Sequence, residues 1–468
     1  MTTSRTLVAL ALAAALTACA TTETRVPAVD LPPTNAAAIP GIDRWWTQFD
    51  DPQLTALIDE ALATNLDLRI AVARIDEARA RLRLARSYQL PSVDADLGAA
   101  RSQRSDATEP RFPGPLITNN YGAGLNVAYE VDLWGRLSAN TTAAQATLLG
   151  TRYSAETVRT VLAAQVANAY FQLLSLDAQL QLSRDTLATR IESVNLQKQR
   201  FDAGLIGDFE VRQAEAERAT VASSIPPLQR AVAQTEAALA ALAGRSARAV
   251  FTPAVARNVE LKVDDNGPVV PEGLPSNLLA RRPDVRQAEA NLVATNARIT
   301  EARAQYYPAV ALTARLGSES SDLSELFSGP GVVWTIAGSV LQPIFNAGRI
   351  ASQVEAATSQ RDQAELDYVR TVQSAFRDAH DALVAHRTAR ESYVAQEDRR
   401  AQYAEALRLA DLRYKAGYTS YIEVLDNQRN LLDAERARLV TLRARQSALV
   451  DVYKALGGGW SPEQFAQR

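Results

Sequence analysis

The alternation of hydrophobic and polar positions is clearest in the stretch Tyr121–Arg136. The odd-numbered positions from Tyr121 to Leu133 are apolar, and the even-numbered positions between them are mostly polar or glycine. A period of two over a dozen residues predicts a β-strand at about 119–133 with one apolar and one polar face. After Gly135 the pattern becomes helical and continues to about residue 200. The sequence thus predicts a long amphipathic strand that leads directly into a long helix.

A second strand is predicted just upstream, at about 91–101, where Val93, Ala95, Leu97 and Ala99 alternate with polar residues. A loop rich in proline and glycine, Glu109–Pro115, separates the two strands, so we expect them to form a hairpin. Before the hairpin, the spacing of apolar residues predicts a helix from Pro52 to about Tyr88.

The long helix at about 137–200 would measure roughly 95 Å at about 1.5 Å per residue. It carries one apolar seam through Leu162, Val166 and Leu173 and a second through Phe171 and Leu174, with uncharged polar residues between them. Two seams favour a helix that has a neighbour on each side, as in the wall of a helical barrel. An ordinary two-stranded coiled coil, for which one seam suffices, is the alternative.

The same order of elements occurs twice along the chain. Leu133–Arg136 matches Asn346–Arg349, and Arg200–Gly204 matches Arg413–Gly417, with offsets of 213 residues. We therefore predict an internal duplication. The second half would contain strands at about 309–317 and 332–342 and a long helix from about 349.

The N-terminus has the pattern of an exported lipoprotein. Arg5 and an apolar run precede Leu16-Thr17-Ala18-Cys19, which has the form of a lipobox, so Cys19 is the predicted lipid anchor. A signal peptide that ends by chance in a cysteine is the alternative. Because Cys19 is the single cysteine, no disulfide can form within one chain. By resemblance to bacterial lipoproteins, Ala20 after the cysteine favours the outer membrane.

These patterns divide the chain into six predicted regions: signal peptide 1–18, lipid-anchored extended tether 19–43, first repeat 44–245, irregular equatorial linker 246–275, second repeat 276–460 and C-terminal tail 461–468.

Composition excludes several classes of function. Among the 468 residues, 47% are hydrophobic, but after the N-terminus no apolar run is long enough for a transmembrane helix, and the net charge of −3 argues against nucleic acid as a partner. His380 and His386 are the only histidines, and they lie in a charged helical run without metal-ligand spacing. No phosphate-binding loop or nucleophile elbow is present. We therefore expect neither an enzyme nor a cofactor or metal site.

The four strands point to a membrane pore made by several copies. Four strands cannot close a barrel, and open strand edges cannot lie in lipid because their backbone groups need hydrogen-bond partners. Three copies would supply about 12 strands, enough for a barrel with an aqueous lumen.

The motifs that carry a family resemblance follow the chain in order: the lipobox, Trp45-Trp46 with Phe49–Pro52, Asp132–Arg136, Ala280–Asp284, Pro343–Phe345 with Gly348-Arg349, and the two Arg-aromatic-x-x-Gly turns. Together they resemble the outer membrane efflux proteins, the TolC family, in its NodT-type lipoprotein branch. The resemblance implies a homotrimer whose 12-stranded outer-membrane β-barrel continues as a long periplasmic α-helical barrel. It also implies a passive exit duct for drugs or other small molecules. The implied partners are a periplasmic adaptor (membrane fusion protein), an inner-membrane transporter of the resistance-nodulation-division type and outer-membrane lipid.

The candidate site residues lie after the two helix–helix turns, which in the family form the periplasmic aperture. Glu423 and Asp426, at i and i+3 of one helix, fall on the family's acidic rings, and Asp208 and Glu210 occupy the related turn of the first half. Simple stabilisation of helix N-termini by carboxylates is the alternative. Tyr414 matches the aromatic member of the family's closing network, although Thr419 stands where some relatives carry arginine.

A different class of function stays open on the sequence alone. A periplasmic coiled-coil lipoprotein acting as a scaffold or adaptor would also contain long helical hairpins. Such adaptors usually contain compact lipoyl-like and β-barrel domains, whereas this chain repeats a strand hairpin.

Overall fold

The computed structural model describes residues 27, 41–105, 107, 114–256, 281–461 and 465. The predicted signal peptide, the anchor Cys19 and most of the tether, the equatorial linker and the C-terminal tail lie outside the described residues.

Helices and strands alternate in the order that the duplication predicts. After a short 3-10 helix, Ile42–Phe49, the helices are α1 Pro52–Thr64, α2 Leu66–Ser87, α3 Arg136–Asp202, α4 Asp208–Leu242, α5 Ala247–Phe251, α6 Pro283–Ala304, α7 Arg349–Lys415 and α8 Tyr421–Ala455. The strands are β1 Ser92–Gln103, β2 Ile117–Val131, β3 Ala309–Ser320 and β4 Val332–Leu341. Among the described helices, none is both long and apolar enough to cross a lipid bilayer.

The predicted single helix from Pro52 to Tyr88 is wrong in one respect, because it is divided at Asn65. The Asn65 side chain accepts a hydrogen bond from the Leu68 N–H (3.1 Å) and donates one to the Leu242 carbonyl (2.8 Å). A side chain that caps a helix start competes with a continuous helix, so one helix ends at Thr64 and the next begins at Leu66.

The chain folds into two compact units, each of which combines segments of both sequence repeats. The strand unit takes in Arg74–Arg152 and Gln287–Val369, and the helix unit takes in the described parts of Asp30–Ala73, Tyr153–Arg286 and Arg370–Arg468. The compact units therefore differ from the sequence repeats.

The strand unit contains one antiparallel sheet in the order β1-β2-β3-β4. Leu97 lies opposite Ala123, Leu125 opposite Leu316, and Leu316 opposite Trp334, so the apolar rows of all four strands share one face. These large side chains are 50–84% exposed in a single chain. The sheet thus presents a continuous apolar face that nothing in the described part of one chain covers.

The opposite face of the sheet carries a polar network. Asn126 donates to Asp96 (2.5 Å), and Arg315 pairs with Asp96 (3.1 Å) and, more distantly, with Glu319 (3.7 Å). Asp96, Asn126 and Arg315 come from three successive strands, so the two repeats meet across this face.

The junction between β2 and α3 explains why the strand stops at Val131, before the predicted end at Leu133. Asp132 accepts hydrogen bonds from the Leu137 N–H (3.0 Å) and the Ser138 N–H (2.8 Å), and so caps the start of α3. Gly135, with φ +73°, makes the left-handed turn between strand and helix.

The helix unit has the larger core, centred on the motif Trp45-Trp46. Both tryptophans are at most 1% exposed, and Trp45 stacks on Tyr453 at a ring distance of 5.6 Å. Asp51 caps α1 through the Gln53 and Leu54 N–H groups and also accepts a hydrogen bond from the Tyr170 hydroxyl (2.9 Å). Burial, followed by the Asp51 carboxylate, raises the pKa of Tyr170, which keeps this hydroxyl a donor.

Candidate functional site

The candidate site lies in the helix unit, at the two turns that connect the long helices with their successors. In the first turn Gly204 has φ +71°, its N–H donates to the Phe201 carbonyl (2.8 Å), and the Leu205 N–H donates to the Arg200 carbonyl (2.9 Å). This is the Schellman arrangement, which needs a left-handed residue and therefore favours glycine.

The second turn repeats the arrangement after α7. Gly417 has φ +77°, its N–H donates to the Tyr414 carbonyl (3.0 Å), and the Tyr418 N–H donates to the Arg413 carbonyl (2.9 Å). The repeated Arg-aromatic-x-x-Gly sequence thus encodes the same helix ending twice, and each ending reverses the chain toward the start of the next helix.

A small apolar core holds the four helices together beside these turns. Its buried residues come from α3, α4, α7 and α8: Val194, Ala214, Ala410, Tyr421, Val424 and Leu425. Leu407 and Tyr414 pack against them. Side chains of the turns are therefore held by packing from both repeats.

Glu423 is tied back across the second turn. It accepts hydrogen bonds from the Thr419 hydroxyl and from Arg413 Nη1, the latter at 3.2 Å. Its side chain is 37% exposed and lies in the first turn of α8. Thr419 therefore contacts one of the predicted ring carboxylates.

Asp426 lies on the exposed side of α8 and pairs with Arg429 one turn later (2.9 Å). Arg429 also pairs with Glu217 of α4, at 2.5 Å from Nη2 and 2.8 Å from Nε. The Glu217 side chain is only 11% exposed, whereas that of Asp426 is 57% exposed. One arginine therefore links an exposed carboxylate of α8 to a buried carboxylate of α4.

A second arginine approaches this pair from α3. Arg190 is 3% exposed, and its Nε has no hydrogen-bond partner. Burial lowers the pKa of Arg190, although the attraction of Glu217 opposes the shift. Three helices thus contribute charged side chains to one partly buried cluster: Arg190 of α3, Glu217 of α4 and Arg429 of α8.

Tyr414 connects α7 to α3. Its hydroxyl accepts a hydrogen bond from Arg200 Nη1, the Arg200 guanidinium lies 5.3 Å from the centre of its ring, and Tyr421 packs against it at 5.4 Å. The aromatic member expected from the sequence is therefore in contact with a basic partner from the other repeat.

The first turn holds the other two candidate carboxylates. Asp208 pairs with Arg212 on the same helix (3.3 Å), and Glu210 lies half-buried in the first turn of α4. Both carboxylates lie at a helix N-terminus, so stabilisation of the free N–H groups there also fits their position.

The sequence reasoning missed the arginines that accompany these residues. Arg200 and Arg413 open the two duplicated turns, so the duplication itself was a signal that they share a structural role. No comparable signal in the sequence indicates Arg190, Glu217 or Arg429, because the contacts among them join distant parts of the chain.

No metal-binding cluster accompanies the site in the part of the chain that the structure describes. Within those residues, no group of three or more His, Cys, Asp or Glu side chains could hold a metal ion. His380 lies beside Asp381 (3.2 Å) on an exposed helix face. Burial, together with Arg445 and Arg390, lowers the pKa of His386.

Comparison with known proteins identifies the family. The model of the family described as outer membrane efflux protein matches residues 57–245 and 274–458. The chain is 37% identical over 430 residues, 92% of this chain and 88% of the relative, to the probable efflux pump outer membrane protein TtgC of Pseudomonas putida. It is 32% identical over 416 residues, 89% of this chain and 88% of the relative, to the cation efflux system protein CusC of Escherichia coli.

A solved structure extends this likeness to the fold. The crystal structure of the Campylobacter jejuni CmeC outer membrane channel superposes with a TM-score of 0.87 at 26% identity, over 94% of this chain and 96% of that chain. The fold class predicted from the sequence, β-barrel strands combined with the long helices of a helical barrel, is confirmed by this likeness. The chain therefore belongs to the outer membrane efflux protein family, the TolC family of channels.

Proposed function

We propose that three copies of this chain form an outer-membrane channel that serves as the exit duct of a tripartite efflux pump. The observation that carries the proposal is the four-stranded sheet with one exposed apolar face and one polar face, whose edge strands β1 and β4 have a single neighbour each in the described part of the chain. Such a sheet can lie in lipid only if other copies pair with its edges.

The number of strands supports a trimer. Two copies would give about eight strands, and a barrel of that size is filled by its own side chains. Three copies give about twelve, which leaves room for an aqueous lumen. The face with Asp96, Asn126 and Arg315 would then line the lumen, and the face with Leu97, Leu316 and Trp334 would contact lipid.

The family supports the choice of partners. TtgC is described as an efflux pump outer membrane protein and CusC as a cation efflux system protein. An outer-membrane component of a pump needs an energy-coupled transporter in the inner membrane. We assign this chain a periplasmic adaptor and an inner-membrane transporter of the resistance-nodulation-division type as partners. The duct itself is passive and not an enzyme, and drugs or other small molecules pass through it. Lipid on Cys19 is an additional anchor.

The aperture of this duct is assigned to the two turns. Glu423 and Asp426 of three copies form two acidic rings, with Asp208 and Glu210 near the related turn, while Tyr414 and Arg200 hold the closed state. Arg413 and Arg429 lie against the ring carboxylates and moderate their charge. An acidic constriction attracts cations and resists anions.

Isolation from the outer membrane in mild detergent tests the trimer. We expect a native mass of three chains and a heat-modifiable band on electrophoresis. A monomer that needs no detergent once Cys19 is replaced would contradict the channel and favour a periplasmic scaffold.

Deletion of the gene, followed by measurement of drug, dye and metal accumulation, tests the role in efflux.

Conductance in planar bilayers tests the acidic rings. The double variant Glu423→Gln/Asp426→Asn should lose cation selectivity and block by multivalent cations. Asp433→Asn, which changes an exposed carboxylate two turns further along α8, serves as the matched control. Unchanged selectivity and block in the double variant would reject the assignment.

A further inference from the structure

The connection from β4 to α7 carries two of the most exposed apolar side chains of the strand unit. Ile344 is 89% exposed and Phe345 is 88% exposed. The connection itself is held in place, because the Gln342 side chain donates hydrogen bonds to the Tyr306 carbonyl (3.1 Å) and the Pro343 carbonyl (3.0 Å). Two large apolar side chains that stay exposed on an ordered connection indicate a contact that the described part of a single chain does not make.

The corresponding connection of the first repeat makes such a contact within the chain. After β2, Trp134 stacks on Tyr307 at a ring distance of 4.8 Å, and its indole N–H donates to the Pro308 carbonyl (2.8 Å). Tyr307 and Pro308 form the segment that leads into β3, the strand that pairs with β2. In the first repeat, therefore, the connection that follows β2 packs on the segment that precedes its neighbouring strand, β3.

In the second repeat, β4 has no further neighbouring strand in the described part of the chain. β4 is an edge strand, and the lead-in segment that matches Tyr307-Pro308 in the duplication is Leu90-Pro91, just before the other edge strand, β1. This lead-in is also open, with Leu90 67% and Tyr88 57% exposed. One edge of the sheet thus has an exposed apolar connection after β4, and the other edge has an exposed apolar segment before β1.

We propose that Ile344 and Phe345 of one copy pack on Tyr88 and Leu90 of the next copy, next to the point where β4 pairs with β1 of that copy. The inference rests on the proposed trimer and names the residues that join its subunits. It is a head-to-tail contact, repeated around the ring until the third copy meets the first. The pleat supports the pairing, because antiparallel β4 and β1 can place Val340 and Leu97 on the same apolar face.

The β2–α3 and β4–α7 connections would both pack on the segment before a neighbouring strand, but with different side chains. The position that matches Trp134 in the second repeat is Ala347, and the position that matches the helix cap Asp132 is Phe345. The connection between β4 and α7 is also longer, from Gln342 to Gly348, so Phe345 lies farther from the start of the following helix than Trp134 does. An aromatic anchor in a pocket between subunits is the kind of contact that dominates interface energies.

Cysteine cross-linking tests the proposal in the full-length protein in outer membranes. Oxidation of the double variant Phe345→Cys/Leu90→Cys should convert most of the protein into covalent dimers and trimers, since the thiols would lie within disulfide distance. Phe345→Cys alone and Leu90→Cys alone should stay monomeric on a denaturing gel. In the control pair Phe345→Cys/Gln103→Cys, the second thiol moves about 40 Å along β1 at about 3.3 Å per residue, so no cross-link should form.

The same samples separate the inference from the proposed function. If native mass in detergent still corresponds to three chains but the Phe345→Cys/Leu90→Cys variant does not cross-link, the contact is wrong and the trimer stands; this is the result expected if Phe345 contacts lipid instead. If no trimer is found for the unmodified chain, both proposals fail. The pair Trp134→Cys/Tyr307→Cys, which the structure places in contact within one chain, controls for the oxidation step through loss of free thiols.

Discussion

Arg429 of α8 and Glu217 of α4, 212 residues apart in the chain, form an ion pair with Nη2 and Oε1 at 2.5 Å. The pair joins the helix that follows the long helix in one repeat to its counterpart in the other, next to the candidate aperture. Arg190 is buried beside this pair, so Glu217 attracts Arg190 as well as Arg429, whereas Asp426 pairs with Arg429.

Replacement of Glu217 by Gln should therefore destabilise the helix unit. The change leaves the buried Arg190 without a compensating charge, and we expect a loss of about 2 kcal/mol, less than for a fully buried pair because Arg429 is partly exposed. The temperature at which the helical circular dichroism signal is lost measures the effect. Glu215→Gln on the same helix changes a more exposed ion pair and should have a much smaller effect. Equal melting temperatures for the two variants would show that the buried layer contributes little.

Replacement of Tyr414 by Phe should favour the open aperture. It removes the hydroxyl that accepts a hydrogen bond from Arg200, and a hydrogen bond to a charged group contributes about 1.5–3 kcal/mol. The ratio of open to closed channels should then rise about tenfold or more. Single-channel conductance and entry of a large hydrophilic antibiotic report this change. Tyr418→Phe, on the same turn and 80% exposed, should behave like the unmodified protein; if Tyr414→Phe does so too, the contact does not hold the aperture closed.

Acid should weaken the contact between α7 and α8 at Glu397. Burial raises the pKa of Glu397, but hydrogen bonds from Arg438 and Arg400 outweigh it and lower the pKa overall. A carboxyl group whose pKa is lowered in the folded state stabilises the fold above its unfolded pKa of about 4.3, and this stabilisation is lost as the pH falls through the folded pKa.

The measurable consequence is a pH-dependent difference between two proteins. At pH 7 the free energy of unfolding of the Glu397→Gln variant should be about 1 kcal/mol lower than that of the unmodified chain. The loss is no larger because the Glu397 carboxylate is about a third exposed and is screened by solvent. The difference should shrink at acidic pH, where the carboxylate of the unmodified chain is protonated as well. Glu391→Gln, at an exposed position of α7, is the control. A difference that stays constant with pH would indicate that packing, not charge, causes the loss.

Replacement of Cys19 by Ala should abolish incorporation of labelled palmitate. The prediction rests on the lipobox alone, since Cys19 lies outside the described residues, and Cys19 is the single cysteine available for acylation. Fluorography of the immunoprecipitated protein, with the unmodified chain as reference, measures it. Persistent label in the variant would place the lipid on another residue.

Local features of the fold follow directly from the sequence. The alternation of Tyr121 to Val131 marks β2, because side chains of a strand point to opposite faces in turn. The two turns follow from the placement of Gly204 and Gly417, because few other residues adopt a left-handed helix ending. The break at Asn65 was missed, because the apolar spacing continues through it and the carbonyl that its side chain contacts belongs to Leu242.

What the sequence by itself determined was most of the elements, their duplication and the placement of the candidate carboxylates Glu423, Asp426, Asp208 and Glu210 after the two turns. These depend on periodicity, turn chemistry and repeat spacing, which act over a few residues or can be read by comparing the two halves. Only the tertiary structure decided which repeat supplies each partner: β2 pairs with β3, Tyr414 with Arg200, and Arg429 with Glu217. Ion pairs and strand pairing depend on distance in space, and the folded chain brings together residues that lie about 180 to 214 positions apart in the sequence.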